Sequence, residues 1–107
     1  MNRKGKVFYR EIFAGEIFEN ENGYVFQYNE SFINNEAYPA ISFTLPKQKE
    51  AYQSKTLFPF FDGLIPEGWL LNLTQNTWKL NRKDRFGILL TVCEDCIGAV
   101  SVVGERK

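Results

Sequence analysis

The chain has 107 residues, with 13 Lys+Arg balanced by 13 Asp+Glu, no His and two Cys. That length suits one domain, and 44% hydrophobic with 24% charged residues is a globular rather than a disordered composition. A formal charge of zero argues against a broad phosphate-binding surface, and the missing His removes the usual general base, the Ser-His and Cys-His pairs and the commonest nitrogen ligand for metals.

The N-terminus runs Met1-Asn2-Arg3-Lys4-Gly5-Lys6-Val7-Phe8-Tyr9-Arg10, which has no apolar stretch of signal-peptide length. No apolar run approaches a membrane span, so the expected location is cytoplasmic. Lys6–Tyr9, Ala14–Phe18 and Tyr24–Tyr28 read as strands of a meander. Asn22-Gly23 is placed as a hairpin turn whose two central residues take positive φ. Tyr24, Phe26 and Tyr28 then share one strand face, with Val25 and Gln27 on the other. Ile41–Leu45 before Pro46 reads as a fourth short strand, and Lys47–Lys55 as a polar loop.

The period then changes. Leu57, Phe60, Phe61 and Leu64 follow helical spacing, with Ser54 or Thr56 as the cap and Pro59 in the first turn. Pro66 suits the first position of a second helix, which Trp69, Leu70 and Leu73 continue to about Trp78. Asn81 and Asp84 resemble a capping arrangement ahead of a third helix with Phe86, Leu89 and Leu90 as its buried stripe. Gly98–Val103 closes the chain as a strand returning to the first sheet. The expected fold is α+β: a small antiparallel sheet, N-terminal meander plus returning C-terminal strand, packed with about three helices in one domain spanning 1–107.

Chemistry-bearing motifs are sparse. No glycine-rich phosphate loop is present. Asp84-Arg85-Phe86-Gly87 differs from the kinase metal-binding tripeptide by the intervening Arg85. Cys93 and Cys96 lack the further ligands that zinc needs, and they are followed by a strand rather than a helix, so they read as ordinary thiols at a turn. Glu19 with Glu21, and Glu94 with Asp95, are read as solvated acids in turns; Lys79, Arg82, Lys83 and Arg85 are read as a solvated helix end. No catalytic residue, cofactor or metal is expected. The unusual stretch is Thr56–Trp78, which holds no Lys or Arg but carries Phe58, Phe60, Phe61, Trp69 and Trp78. A Trp on a turn shaped by Gly63, Pro66 and Gly68 has the character of an interface anchor, and equally of a core hinge.

Phe60-Phe61-Asp62-Gly63-Leu64-Ile65-Pro66-Glu67-Gly68 resembles the F-F-x-x-L-L-P-E-G segment of the N-terminal subdomain of HipA-type kinases. Asp84-Arg85-Phe86-Gly87-Ile88-Leu89-Leu90 is similar to that subdomain's D-x-F-x-L-L stretch, and Asp95-Cys96-Ile97-Gly98-Ala99-Val100 to its D-C-x-G-A-V ending. Ala14-Gly15-Glu16-Ile17, Gly23–Tyr28 and Ile41–Pro46 fall in the same order upstream. The sequence ends at Lys107, before any nucleotide site or catalytic Asp of such kinases, so the resemblance implies a free-standing subdomain of the HipS type from three-part HipB–HipS–HipT toxin–antitoxin systems. It implies an antitoxin without enzyme activity. Its partners would be a HipT-type Ser/Thr kinase toxin and, through a ternary complex, a HipB-type DNA-binding protein, with no direct contact to nucleic acid or membrane. The partner-binding residues expected are Ile65, Pro66, Glu67, Gly68 and Trp69, with the Pro-Glu-Gly-Trp turn at or near the kinase cleft. Trp69 departs from HipA-type chains, which often carry a polar or basic residue after P-E-G. The alternative role is a detached accessory lobe that completes or activates the kinase or presents its substrate.

Overall fold

The alternating pattern of the first 28 residues becomes three adjacent antiparallel strands in the computed structural model, which describes residues 3–66, 68, 83–93 and 98–105. Strands β1 (Lys4–Tyr9), β2 (Ile12–Asn20) and β3 (Gly23–Tyr28) follow one another, and β4 (Tyr52–Ser54) and β5 (Val100–Gly104) complete a sheet of order β4-β3-β2-β1-β5. Every pairing is antiparallel. The returning C-terminal strand therefore joins the sheet beside β1, with Val7 opposite Val102.

Period-2 alternation selects the buried face. Val7, Ile17, Phe26, Tyr28 and Val102 are buried in one apolar core, with Tyr24 packed against it. Ala14 is the extra residue where the β1–β2 register shifts between Val7 and Phe8, and it is buried too. The other face carries Lys4, Lys6, Glu16 and Gln27, whose surface ion pair Lys4–Glu16 (3.6 Å) contributes little. Val25 is buried although it lies on that second face, outside the main core cluster.

The β2–β3 hairpin forms one residue away from the predicted position. Asn20 pairs with Gly23, so Glu21 and Asn22 are the loop residues, and the Asn20 side chain accepts the Asn22 N–H at 2.8 Å. Only Gly23 takes a positive φ, 137°, and a Cβ there would meet the Ser54 carbonyl oxygen of β4. The glycine serves the approach of β4, not an Asn-Gly turn. At the β1–β2 hairpin Arg10 itself adopts φ 56°.

Two segments differ from the sequence reading. Ile41–Leu45 is not a strand: it is a turn with one isolated bridge, Ser42 to Leu45. The fourth strand is instead Tyr52–Ser54, within the stretch read as a polar loop, held by pairing with β3 and by the Tyr52 hydroxyl donating to the Pro46 carbonyl at 2.6 Å. A short helix absent from the sequence reading, α1 (Glu30–Asn34), buries Phe32. The Lys47 ammonium donates to the carbonyls of Phe32, Asn35 and Tyr38, so the end of α1 and the following loop are tied to a residue 9 to 15 positions on.

Helix α2 (Pro59–Asp62) has Pro59 in its first turn, as the spacing predicts, but its cap is Phe58 rather than Ser54 or Thr56. Helix α3 (Arg85–Val92) buries Phe86, Ile88 and Leu89 and is capped by the Asp84 side chain, which accepts the Gly87 N–H at 3.1 Å. The predicted helix from Pro66 to Trp78 lies largely outside the described residues, as do Asn81 and Cys96. Among the described residues no helix is long and apolar enough to cross a membrane.

Candidate functional site

The sequence directs attention to the turn after α2. Phe61 is fully buried, with its ring 5.3 Å from that of Phe26, 6.1 Å from Phe58 and 5.2 Å from Phe60. This aromatic block fixes α2 on the sheet. The chain leaves the helix through consecutive turn bonds, Gly63 N–H to Pro59 O, Leu64 N–H to Phe61 O and Ile65 N–H to Asp62 O. Ile65 then enters the core at 7% exposure, while Pro66 and Gly68 are half-buried. Glu67 and Trp69 lie outside the described residues. The structure thus places Ile65 as the inward anchor of the turn and Pro66 at its surface.

The turn is braced from α3. The Arg85 Nε donates to the Asp62 carboxylate at 2.7 Å, and the Leu64 carbonyl lies 3.5 Å from the Cys93 thiol. Arg85 is exposed, as the reading of a solvated helix end has it, but it is also paired across elements with Asp62; Lys79 and Arg82 lie outside the described residues. Buried Cys93 stands at the C-terminal end of α3, the opposite end from the one that activates a thiol.

The start of α3 is fixed by a network that sequence reading missed. Arg3 donates through Nε and Nη2 to Glu19 (2.6 and 3.1 Å) and through Nη1 and Nη2 to Asp84 (2.6 and 3.0 Å). Its guanidinium also lies 5.4 Å from the centre of the Phe86 ring, which in turn meets Tyr24 edge-on. Glu19 is thus an ion-paired strand residue, not a solvated turn acid. A Cβ on Gly87 would come 2.4 Å from Asp84 Oδ2 and 2.9 Å from Arg3 Nη1, so the glycine makes room for the charge cluster. The Asp84-Arg85-Phe86-Gly87 motif is in this way a capping and bracing device.

Hydrogen bonds from Arg3 hold the Glu19 and Asp84 carboxyls below their ordinary pKa values, with burial opposing in both. Depressed carboxylate pKa values stabilise the fold above the unfolded-state range near pH 4, and that contribution is lost as pH falls through the folded-state values. Denaturant unfolding followed from pH 7 to 3 should therefore show stability falling below about pH 4. Asp84→Asn keeps a capping oxygen and should flatten that acid limb, whereas Asp84→Ala should cost about 1–3 kcal/mol at pH 7. Equal acid sensitivity in Asp84→Asn and the parent chain would show that Asp84 has no part in the pH response.

A second feature lies in Ile41–Leu45, the segment whose pattern predicts a strand. Phe43 is fully exposed at the tip of the Ser42–Leu45 turn. The turn is held by Leu45 N–H to Ser42 O (3.1 Å), Thr44 N–H to Ser42 Oγ (3.2 Å) and the Ser42–Thr44 hydroxyl pair (2.9 Å). The buried Tyr28 hydroxyl accepts the Ile41 N–H at 3.1 Å and donates to the Leu45 carbonyl, clamping both ends. Burial pushes the Tyr28 phenol up to about 12, so it remains the protonated donor at neutral pH. Phe43, Pro39, Ile41 and Pro46 line an open groove of about 540 Å³ whose remaining wall includes Phe60 of α2, and none of its lining residues is charged. The sequence signal was the lone Phe among Ser and Thr before Pro46.

Among the described residues there is no cluster of His, Cys, Asp or Glu suited to a metal. Among the described residues, the ion-paired groups of the site hold elements together, and the groove beside Phe43 is apolar.

The sequence profile of the HipA N-terminal domain matches residues 5–103. An uncharacterised protein of Haemophilus influenzae is 34% identical over 105 residues, which cover 98% of this chain and 95% of that protein. The putative kinase Y4mE of Sinorhizobium fredii is 27% identical over 95 residues, covering 88% of this chain but only 23% of the relative. Among solved structures, the N-terminal domain of HipA toxin superimposes with a TM-score of 0.72 at 33% identity, over 98% of this chain and 94% of that one. Matched over residues 5–103 by that profile and superimposing along nearly its whole length on that solved domain, this chain belongs to the HipA N-terminal domain family.

Proposed function

We propose that the chain is the antitoxin of a three-part toxin–antitoxin system, a cytoplasmic protein without enzyme activity that binds a HipT-type Ser/Thr kinase and holds it inactive. The observation that carries this reading is the extent of the family match: residues 5–103 correspond to the N-terminal domain, not to a kinase domain. The near end-to-end match to the H. influenzae protein supports a domain that works as a separate protein, while the S. fredii relative carries the same domain within a much longer putative kinase. A domain that exists both within and apart from such a chain has an obvious partner in the body it is detached from.

In this reading the Ile65–Trp69 turn engages the kinase at or near its active-site cleft. Ile65 anchors the turn in the core, Pro66 and Gly68 shape it, Glu67 offers a polar contact and Trp69 supplies the large area of a hot spot. A HipB-type protein carries the DNA contact, in keeping with the zero net charge of this chain. The test is phosphorylation by the cognate HipT-type kinase, measured with and without this chain. Inhibition that saturates at a fixed ratio is expected. Increased phosphorylation would instead identify a lobe that completes the kinase or presents its substrate.

A further inference from the structure

We propose that the Phe43 turn is a second anchor on the same kinase partner, seating its ring in an apolar recess of the kinase while the Pro39–Phe60 groove receives an apolar side chain in return. This rests on the kinase-binding reading above and extends it to a surface some twenty residues upstream of the Ile65–Trp69 turn.

The fully exposed ring of Phe43 contributes nothing to this chain's core, whereas the backbone beneath it is heavily restrained by the Tyr28 clamp and the Ser42–Thr44 bonds. A side chain carried on a restrained backbone leaves only its own two side-chain torsions to be fixed on binding, which favours an aromatic anchor. The neighbouring groove has walls of Pro39, Ile41, Pro46 and Phe60 and no charged lining, so its occupant is an apolar side chain and not an acidic or basic segment.

Two observations assign the occupant to the kinase. First, Phe60 belongs both to the groove and to α2, and α2 leads through Asp62 and Gly63 to Ile65 and Pro66, the start of the Ile65–Trp69 segment. The groove's Phe60 and Ile65, where that segment begins, are therefore five residues apart along one short element, so a body that covers the groove lies beside the start of the segment. Second, in the S. fredii putative kinase the matched domain is 23% of the polypeptide, so a much larger body is covalently tied to this domain there. That body is the candidate cover for an apolar surface on it, and the separate kinase takes its place here.

The experiment compares wild type, Phe43→Ala, Phe43→Tyr and Trp69→Ala for binding to the HipT-type kinase by calorimetry, with the melting temperature and the mass of each isolated protein measured alongside. Phe43→Ala should weaken binding at least about tenfold with an unchanged melting temperature, and Phe43→Tyr should retain most of the affinity. Unchanged binding by Phe43→Ala, while Trp69→Ala is impaired, overturns the second anchor and leaves the kinase reading standing. The second anchor is equally overturned if Phe43→Ala abolishes only a concentration-dependent dimer of this chain, since the cover is then a second copy. Failure of the wild-type chain to bind the kinase overturns both.

Discussion

Phe61→Ala should destabilise the chain by about 3–5 kcal/mol, the range for removing a buried aromatic ring. Phe61 is fully buried and touches the rings of Phe26, Phe58 and Phe60, so its removal empties the junction between sheet and α2. Domains of this size are stable by only about 5–15 kcal/mol, so the variant would be close to unfolding, with a melting temperature lower by on the order of 15 °C or more. Thermal and urea unfolding check this. A loss below about 1 kcal/mol would mean that α2 is not seated on the core. The substitution bears on function as well, because the same ring positions both Phe60 in the groove and the start of the Ile65–Trp69 turn.

Trp69→Ala should leave this framework intact and cost about 2–4 kcal/mol of kinase binding, a drop in affinity of roughly thirty- to a thousandfold. The expectation follows from the residue type and its place: a Trp directly after Pro66, Glu67 and Gly68, in a stretch without a basic residue, next to a turn whose inward end is fixed by Ile65. Circular dichroism and unfolding of the isolated variant separate a binding defect from a folding defect. Full protection of cells expressing the kinase by a normally folded Trp69→Ala protein would remove Trp69 from the interface.

Phe61 holds the fold and Trp69 is proposed as a partner contact, and the sequence is informative about these two kinds of residue to different degrees. The Tyr24, Phe26 and Tyr28 face was legible because strand alternation is local, and these residues do turn to the core. The start of α3 was legible only in part: Asn81 with Asp84 three residues on reads as the cap, whereas Asp84 itself caps the helix, because its carboxylate is the group that reaches the Gly87 N–H. Strand β4 was not, because Tyr52-Gln53-Ser54 has little propensity of its own and is a strand only by pairing with Tyr24–Phe26. Ile41–Leu45 alternates like a strand, but the hydroxyl of Tyr28, 13 residues upstream of Ile41, closes it as a turn.

The same division runs through the site. The Phe60–Trp69 stretch stood out by composition, whereas Phe43 is conspicuous only once its surroundings are known. Nor does anything local to Arg3 indicate that it joins Glu19 to Asp84, 81 residues away, bracing the helix that in turn braces Asp62. Long-range charge pairing and exposure are tertiary properties, and short-range patterning carries no record of them.

Whether this HipA N-terminal domain works as a separate restraint on a kinase is decided by titrating the purified chain into the HipT-type kinase with ATP and following phosphate incorporation. Phosphorylation should fall and level off at a fixed molar ratio, with Trp69→Ala shifting the curve to higher concentration. Phosphorylation that is unchanged or rises with added chain would show that the domain is no restraint.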